Sequence, residues 1–483
     1  MYSLAKNLIT EKDLSRKISL LENLVNHPQL TAKELAANIG TTERTVFNDI
    51  QSLRSDLPMG WQLEADGNNG LSLISADYAT TNEVWEYFMK DSISIQLIKK
   101  LLFSKKLAVQ TFVNTHGISF ETLKRHTKKV NQKLKDFQLR ITVSATAISL
   151  TGEESSIRVF YHRLLLPFTH NNFFFEEYAI HQTNYRDFLA RISRSGIGIE
   201  TEEIFGTCWF FINTIRIKAG CLTEAFHFDE EDALFKLYHK DLEKLYASEG
   251  IRLNKTEHFF AFFCFIESWN YSVIPDAFLK NLLLKEYPDL FAGANRFVSG
   301  LSAALNQNNL DKSDLTENLV LFLLKYFESK QLSDKFLLEY HELSSLSQRR
   351  FPELYQLISQ EVKNYGLDYL SDSGYVINTL AFLIKEALYS ISPRQITAYF
   401  LFQGEPAWKS FLYRELQDLL GNRVHLKNLN TDELSNYQLE ENDIIISNYP
   451  LQYQSKQTVV YVSSIPTQNE MQEIRELIRP FYL

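Results

Sequence analysis

The sequence predicts a multidomain, mainly α-helical protein with two winged helix-turn-helix units at its N-terminus and a small α/β domain at its C-terminus. A pattern of turn glycine, capping residue and apolar stripe recurs 77 positions apart, long aromatic helices fill the middle, and short β-branched runs alternate with helices after Pro393. We expect five domains, at residues 1–75, 76–152, 153–280, 281–391 and 392–483.

Length and composition agree with several folded domains in a reducing compartment. The 483 residues are 45% hydrophobic, with only 17 Gly and 11 Pro. We find no apolar run near the ~18–20 residues that a membrane span needs, and no signal peptide at the N-terminus. Three scattered cysteines argue against a disulfide framework and a zinc site. We therefore expect a cytoplasmic protein without a membrane partner.

The first helix-turn-helix unit begins with a predicted helix over 12–26, with Leu14, Ile18, Leu21 and Val25 on its apolar face. Thr31 caps the next helix, Gly40 makes the turn, and Thr42 caps a third helix that packs through Val46, Ile50 and Leu53. Residues 61–74 form a predicted hairpin, the wing. Three residues of the third helix are expected to face outward and reach base edges: Arg44, Asn48 and Gln51.

A shift of 77 residues lays this unit on a second copy. Gly40 falls on Gly117 and Thr42 on Ser119, which is expected to cap a helix whose buried stripe is Leu123, Thr127, Val130 and Leu134. A second wing is predicted over 139–152. The remaining surface of this helix is basic, and four of its cations are expected to hold DNA phosphates: Lys124, Arg125, Lys128 and Lys129.

The charge of the chain is divided unevenly. Residues 1–150 hold 19 Lys/Arg and 15 Asp/Glu, a net charge of +4. The rest of the chain holds 31 Lys/Arg and 44 Asp/Glu, a net charge of −13, and the whole chain has a net charge of −9. A basic end on an acidic body predicts a polyanion partner at that end. Lysine-rich contact predicts low sequence specificity and reliance on DNA shape.

The middle of the chain shows a helical motif three times, at 195–215, 249–269 and 365–388. Each copy has an incoming helix, a glycine with an apolar residue, a polar turn and a long apolar helix, which predicts stacked helical modules. After Ser392, runs at 396–402, 424–429, 443–448 and 458–464 alternate with helices and predict a small parallel sheet. The loop Gln403-Gly404-Glu405 lacks a nucleophile or phosphate-binding lysine, and we find no enzyme motif and no cofactor site.

The order of these parts, with the helices TERTVFNDIQSLR and SFETLKRHTKKVNQKL, resembles the Mga-type global and virulence regulators of Gram-positive bacteria. The resemblance covers essentially the whole chain. It implies a DNA-binding transcription regulator that forms a homodimer or higher oligomer. It also implies two middle domains of the kind regulated by the sugar phosphotransferase system, and a last domain like its enzyme IIB component.

Histidine phosphorylation follows from the same resemblance. The phosphohistidine carrier protein would be the partner, and the candidate acceptors are His181, His227 and His341. The sequence departs from the pattern in two places: Gln403-Gly404-Glu405 stands where enzyme IIB domains carry a phosphocysteine, and Asn378-Thr379 stands where related modules often have a histidine.

Two other functions remain open. A sugar-responsive RNA-binding antiterminator would share the regulatory modules, although such proteins bind RNA through a small β-rich N-terminal domain. A phosphotransferase component would need an acceptor in the last domain, where the only histidine is His425.

Overall fold

A computed structural model describes most of the chain. The described residues are 3–27, 29–65, 70–76, 79, 81–169, 178–271, 277–307, 309–310, 314–336, 346–364, 374–391, 396–421, 424–429, 431–434, 437, 439–440, 443–451 and 458–482. The chain divides into two compact parts, an N-terminal body of residues 1–383 and a C-terminal body of residues 384–483.

The first winged helix-turn-helix unit forms as predicted. Its elements are α1 (Ser3–Leu8), α2 (Lys12–Asn26), α3 (Ala32–Ile39), α4 (Glu43–Asp56), β1 (Trp61–Ala65) and β2 (Leu71–Ser75). Gly40 makes the turn in the left-handed conformation at φ 72°, which costs glycine nothing because it has no Cβ. The tip of the wing at 66–69 lies outside the described residues.

The second unit repeats the first. It contains α5 (Thr81–Met89), α6 (Ile93–Phe103), β3 (Leu107–Ala108), α7 (Val109–Thr115), α8 (Phe120–Leu134), β4 (Arg140–Val143) and β5 (Ala147–Thr151). In the first unit Leu30 pairs with Leu71 as an antiparallel bridge, and 77 residues later Leu107 pairs with Ile148 in the same way. The predicted repeat is therefore present in backbone pairing as well as in sequence.

Two predictions for the first unit need correction. Val25 is 42% exposed, and Leu20 and Leu24 are buried instead, because α2 packs against α3 and α4 as well as against β2 and α5. The sequence analysis also missed α1, which packs on α8 of the second unit and on the helix that follows this unit, α9 (Glu154–Leu165). Its apolar residues are buried in the common core.

One hydrophobic core joins the two helix-turn-helix units to the start of the helical middle. It extends from Leu4 in α1 through both units to Phe160 in α9 (Glu154–Leu165) and Phe211 in α11 (Glu203–Lys218). Arg216 of α11 donates to the carbonyl of Leu101 at 2.7 Å, and thus satisfies one of the carbonyls that the end of α6 leaves open. The second unit is therefore joined to the helical middle.

The middle of the chain is helical, as predicted, and residues 365–373 of the third predicted copy of the motif lie outside the described residues. Its other helices are α10 (Tyr178–Arg194), α12 (Ala233–Ala247), α13 (Lys255–Glu267), α14 (Ala277–Glu286), α15 (Pro288–Leu305), α16 (Leu315–Glu328), α17 (Lys330–Phe336), α18 (Leu346–Arg350), α19 (Pro352–Asn364) and α20 (Gly374–Ile391). Residues 259–266 of α13 are buried on every side, as their apolar sequence predicts. Among the described residues, every helix is too short or too polar to cross a bilayer.

The C-terminal body holds the predicted parallel sheet. Its strands β6 (Ile396–Leu401), β7 (Val424–Asn428), β8 (Ile444–Ser447) and β9 (Thr458–Tyr461) pair in the order β7-β6-β8-β9, all parallel. The helices are α21 (Pro406–Leu420), α22 (Thr431–Leu434) and α23 (Gln468–Tyr482). Burial of Phe400, Leu416 and Ile474 joins the sheet, α21 and α23 in one core.

Candidate nucleic-acid interface

Helix α4 presents one exposed face with side chains suited to base edges. Arg44, Asn48 and Gln51 are exposed as predicted, and the opposite face buries Val46, Ile50 and Leu53. Thr42, also exposed, accepts a hydrogen bond from the Thr45 backbone N–H at 3.2 Å and so begins the helix. The sequence analysis missed Phe47, which lies on the same exposed face and is 58% exposed.

Two ion pairs from α2 fix the position of α4. Arg16 donates to Asp49 at 2.8 Å, and Lys17 lies 3.1 Å from Asp56. Asp49 is buried among otherwise apolar side chains, so the guanidinium contact compensates for the lost hydration of its carboxylate. Because these acids of α4 are paired within the unit, the exposed face is defined by Arg44, Asn48 and Gln51.

Helix α8 is the basic counterpart of α4. Gly117 turns the chain at φ 60°, and the Ser119 hydroxyl accepts from the Thr122 N–H at 3.1 Å to begin the helix. The stripe Leu123, Thr127, Val130 and Leu134 is buried as predicted. The four predicted basic residues are all exposed: Lys124, Arg125, Lys128 and Lys129.

A groove of about 760 Å³ lies between α8 and the wing strand β4. Lys124 and Lys128 line it from the helix, and Arg140 lines it from the wing, with Lys135 at the end of the helix. Such a row of cations beside a recognition helix suits the phosphate backbone of a nucleic acid. Lys135 and Arg140 were not among the predicted site residues, although both belong to the basic stretch of the sequence.

Lys129 lies on the other side of α8 and has a partner within the protein. Its ammonium donates to the carbonyl of Thr10 at 2.8 Å, in a cleft of about 640 Å³ that α8 forms with α2 and the turn at Gly40. Lys133 lines the same cleft. In this structure Lys129 therefore contacts the first unit, whereas Lys124 and Lys128 line the groove beside the wing.

A buried histidine of α8 also contacts the first unit. His126 Nδ1 hydrogen-bonds the Thr10 hydroxyl and lies 3.7 Å from the Glu11 carboxylate. Burial lowers the pKa of His126, with Glu11 opposing the shift and Arg125 adding to it. Asp49 stands at this position in the first unit, so both copies use a buried polar residue to hold the recognition helix.

The three candidate phosphorylation sites differ in accessibility. His181 in α10 is 4% exposed, and its Nδ1 lies 3.1 Å from Glu249. A carrier protein cannot reach this nitrogen unless α10 moves. His227 is exposed between α11 and α12, and His341 lies outside the described residues.

The loop after β6 is a turn from strand to helix. Glu405 accepts from the Trp408 N–H at 2.8 Å, which lowers the pKa of this carboxyl and begins α21. His425 lies in β7, as the sequence suggested, with an exposed side chain. Asn378, which stands in place of a regulatory histidine, is buried and accepts from the Ser347 N–H at 2.9 Å.

Comparison with known proteins agrees with both helix-turn-helix units. A model described as "HTH domain" matches residues 16–71, and the "Mga helix-turn-helix domain" matches residues 77–165. The chain is also 23% identical to the "Anthrax toxin expression trans-acting positive regulator" of Bacillus anthracis, over 97% of this chain and 98% of the relative.

This chain resembles the Mga-type regulators.

The resemblance seen in the sequence is thereby confirmed. The two helix-turn-helix units and these matches support a DNA-binding transcriptional regulator.

A third match falls in the helical middle of this Mga-like chain. Residues 286–390 match a model described as "Non-canonical single-stranded DNA-binding domain". This range contains nine Lys/Arg and fourteen Asp/Glu, so its net charge disfavours a polyanion. The basic surface of the described residues is instead the one along α8.

Proposed function

We propose that this protein binds double-stranded DNA through its two helix-turn-helix units in the bacterial cytoplasm, with little sequence specificity. The observation that carries the proposal is the groove between α8 and the wing, where cations from both elements line one surface. A recognition helix in the major groove with an adjacent wing brings such cations close to phosphates.

The two units contribute differently to this binding. The second unit supplies phosphate contacts through Lys124, Arg125 and Lys128, and these are independent of sequence. The first unit supplies Arg44, Asn48 and Gln51, whose side chains can make bidentate hydrogen bonds with guanine or adenine. Most of the affinity therefore comes from charge, and DNA shape contributes to the choice of site.

The direct experiment compares three labelled probes with the full-length chain. These are a DNA duplex, one of its single strands and an RNA hairpin, each measured by fluorescence anisotropy at low and moderate salt. We expect the duplex to bind most tightly, with affinity that falls steeply as salt rises. Preference for the hairpin would favour the antiterminator alternative, and preference for the single strand would favour residues 286–390 as the binding site.

A matched pair of variants assigns the surface. The double variant Lys124→Ala/Lys128→Ala should lose most of its duplex affinity. The control variant Lys244→Ala/Lys285→Ala removes the same charge from exposed lysines outside the helix-turn-helix units. Equal losses in the two variants would mean that α8 is not the interface.

We further propose that the chain forms a homodimer through its C-terminal body. Phe411 of α21 and Ile465 after β9 are 55% and 73% exposed there, and large exposed apolar side chains are typical of interfaces. Light scattering of Phe411→Glu and Ile465→Glu should show monomers where the unaltered chain shows a dimer. An unchanged mass in both variants would exclude this surface.

If the phosphotransferase system modulates the protein, we propose His227 as the phosphorylated residue. Of the candidate histidines within the described residues, it is the one that a phosphohistidine carrier protein can reach. Its exposure supports this proposal, whereas the burial of His181 opposes transfer there. Incubation with labelled carrier protein should label the unaltered chain but not His227→Ala. Equal labelling of the unaltered chain and of His227→Ala would mean that a different residue is phosphorylated.

A further inference from the structure

The exposed face of α4 contains one large apolar side chain. Phe47 is 58% exposed, and it lies with Arg44, Asn48 and Gln51 at positions i, i+3, i+4 and i+7, which share one face of a helix. A single exposed apolar residue is common on protein surfaces. Phe47 differs because its three neighbours on this face are all of types that can hydrogen-bond to base edges.

The second unit differs at this position. A shift of 77 residues places Lys124 where the first unit has Phe47, and Lys124 lines the phosphate groove. The face of α4 therefore has an aromatic ring where the face of α8 has a cation. This difference suits contact with bases more than contact with phosphates.

The major groove offers one apolar group, the 5-methyl group of thymine. Asn48 and Gln51 have the amide geometry that pairs with adenine, the partner of thymine in the duplex. An apolar ring on the same helix face as such amides therefore fits A·T base pairs.

We propose that Phe47 contacts thymine methyl groups and makes the first unit selective for A·T base pairs. The proposal rests on the proposed binding of duplex DNA. Phe47 is a specificity-determining residue in this account, whereas Lys124 sets affinity without regard to sequence.

Replacement of thymine by uracil removes only the methyl group and keeps the hydrogen bonds of the base pair. One methyl group removed from water corresponds to roughly a fourfold change in affinity. We therefore expect the unaltered chain to bind an alternating A·T duplex about fourfold more tightly than the matching A·U duplex for each methyl contacted.

The test measures both duplexes with the unaltered chain, Phe47→Ala and Lys124→Ala. Any effect of uracil on duplex shape is common to all three proteins and cancels in the comparison. We expect Phe47→Ala to bind the two duplexes equally. Lys124→Ala should bind both more weakly and keep the preference for thymine. Thermal unfolding of each variant checks that the fold is retained.

The outcomes separate this inference from the proposed function. Absence of duplex binding by the unaltered chain would overturn both. Duplex binding without a preference for thymine, or a preference that survives Phe47→Ala, would overturn only the role of Phe47. A change in oligomeric mass on Phe47→Ala, with the thymine preference intact, would assign the ring to a protein contact.

Discussion

The side-chain amide of Asn131 makes two hydrogen bonds with the backbone of Ile141. Asn131 Nδ2 donates to the Ile141 carbonyl at 2.8 Å, and Asn131 Oδ1 accepts from the Ile141 N–H at 2.6 Å. Asn131 lies in α8, and Ile141 lies in β4, an edge strand of its sheet. These bonds occupy backbone groups that the sheet leaves open, and they set the width of the groove between helix and wing.

Substitution of Asn131 by Ala should therefore weaken both the fold and DNA binding. The loss of hydrogen bonds to a half-buried backbone should lower the free energy of unfolding by about 1–3 kcal/mol. Urea unfolding and duplex affinity measure the two effects. Gln132→Ala, at the exposed neighbouring position, is the control and should leave stability unchanged. Equal stability of Asn131→Ala and the control would contradict this role.

A buried ion pair stabilises the helical middle. Arg158 in α9 donates to both carboxylate oxygens of Glu257 in α13, at 2.7 and 2.8 Å, and both residues are buried. Arg158→Met would leave the Glu257 charge without its main partner, so we expect a loss of about 3–5 kcal/mol in the free energy of unfolding.

The control for this prediction is an arginine–glutamate pair nearer the surface. Arg186 lies 2.6 Å from Glu203, with 59% of its side chain exposed. Arg186→Met should cost at most about 1 kcal/mol, because water screens the pair. Urea unfolding of both variants makes the comparison, and similar losses would mean that burial does not determine the cost.

The contact of Tyr287 with two carboxyl groups predicts a pH dependence. The Tyr287 hydroxyl lies 2.6 Å from Asp232 Oδ2 and 2.7 Å from Glu328 Oε1. It carries one hydrogen and can donate fully to only one of them, so the arrangement favours a proton on the other carboxyl. Burial, together with repulsion from Asp232, raises the pKa of Glu328 to about 8.

The sign of the effect follows from this shift. A carboxyl with a raised pKa holds its proton more tightly in the folded state, so the free energy of unfolding falls as pH rises from about 4.5 to about 8. Glu328→Gln mimics the protonated form and should flatten this part of the profile, with its largest gain in stability near pH 8. Thermal unfolding between pH 5 and 9 tests this, and identical profiles would contradict it.

The three thiols should be inert in the native protein. Cys208, Cys221 and Cys264 are free and buried, and burial raises the pKa of each. Because the thiolate is the reactive form, a disulfide reagent such as Ellman's should label them only after denaturation. Rapid labelling of the native chain would indicate an open cavity at one of these positions.

Local signals explain how much of the fold the sequence could predict. Gly40, Gly117, Thr42 and Ser119 determine turns and helix starts through their own backbone or side-chain chemistry. The alternation of strands and helices after residue 396 is likewise visible in short windows. These features were predicted correctly because each depends on residues close together in the chain.

The missed features depend on residues far apart in the chain. The partner of Lys129 is the carbonyl of Thr10, 119 positions away, and the partner of Arg158 is Glu257, 99 positions away. Periodicity shows that Lys129 lies on the surface of α8 but not which element faces it. Exposure of Phe47 was missed for a related reason, since an apolar residue beside a buried stripe is usually assigned to the core.

The measurement that tests the central claim most directly is the salt dependence of duplex binding for the unaltered chain and for Lys124→Ala/Arg125→Ala/Lys128→Ala. Each phosphate contact contributes about 0.9 to the slope of log affinity against log salt. We predict weaker binding to every duplex and a slope lower by about three in the triple variant. An unchanged slope and unchanged affinity would contradict the assignment of α8 as the surface that holds DNA.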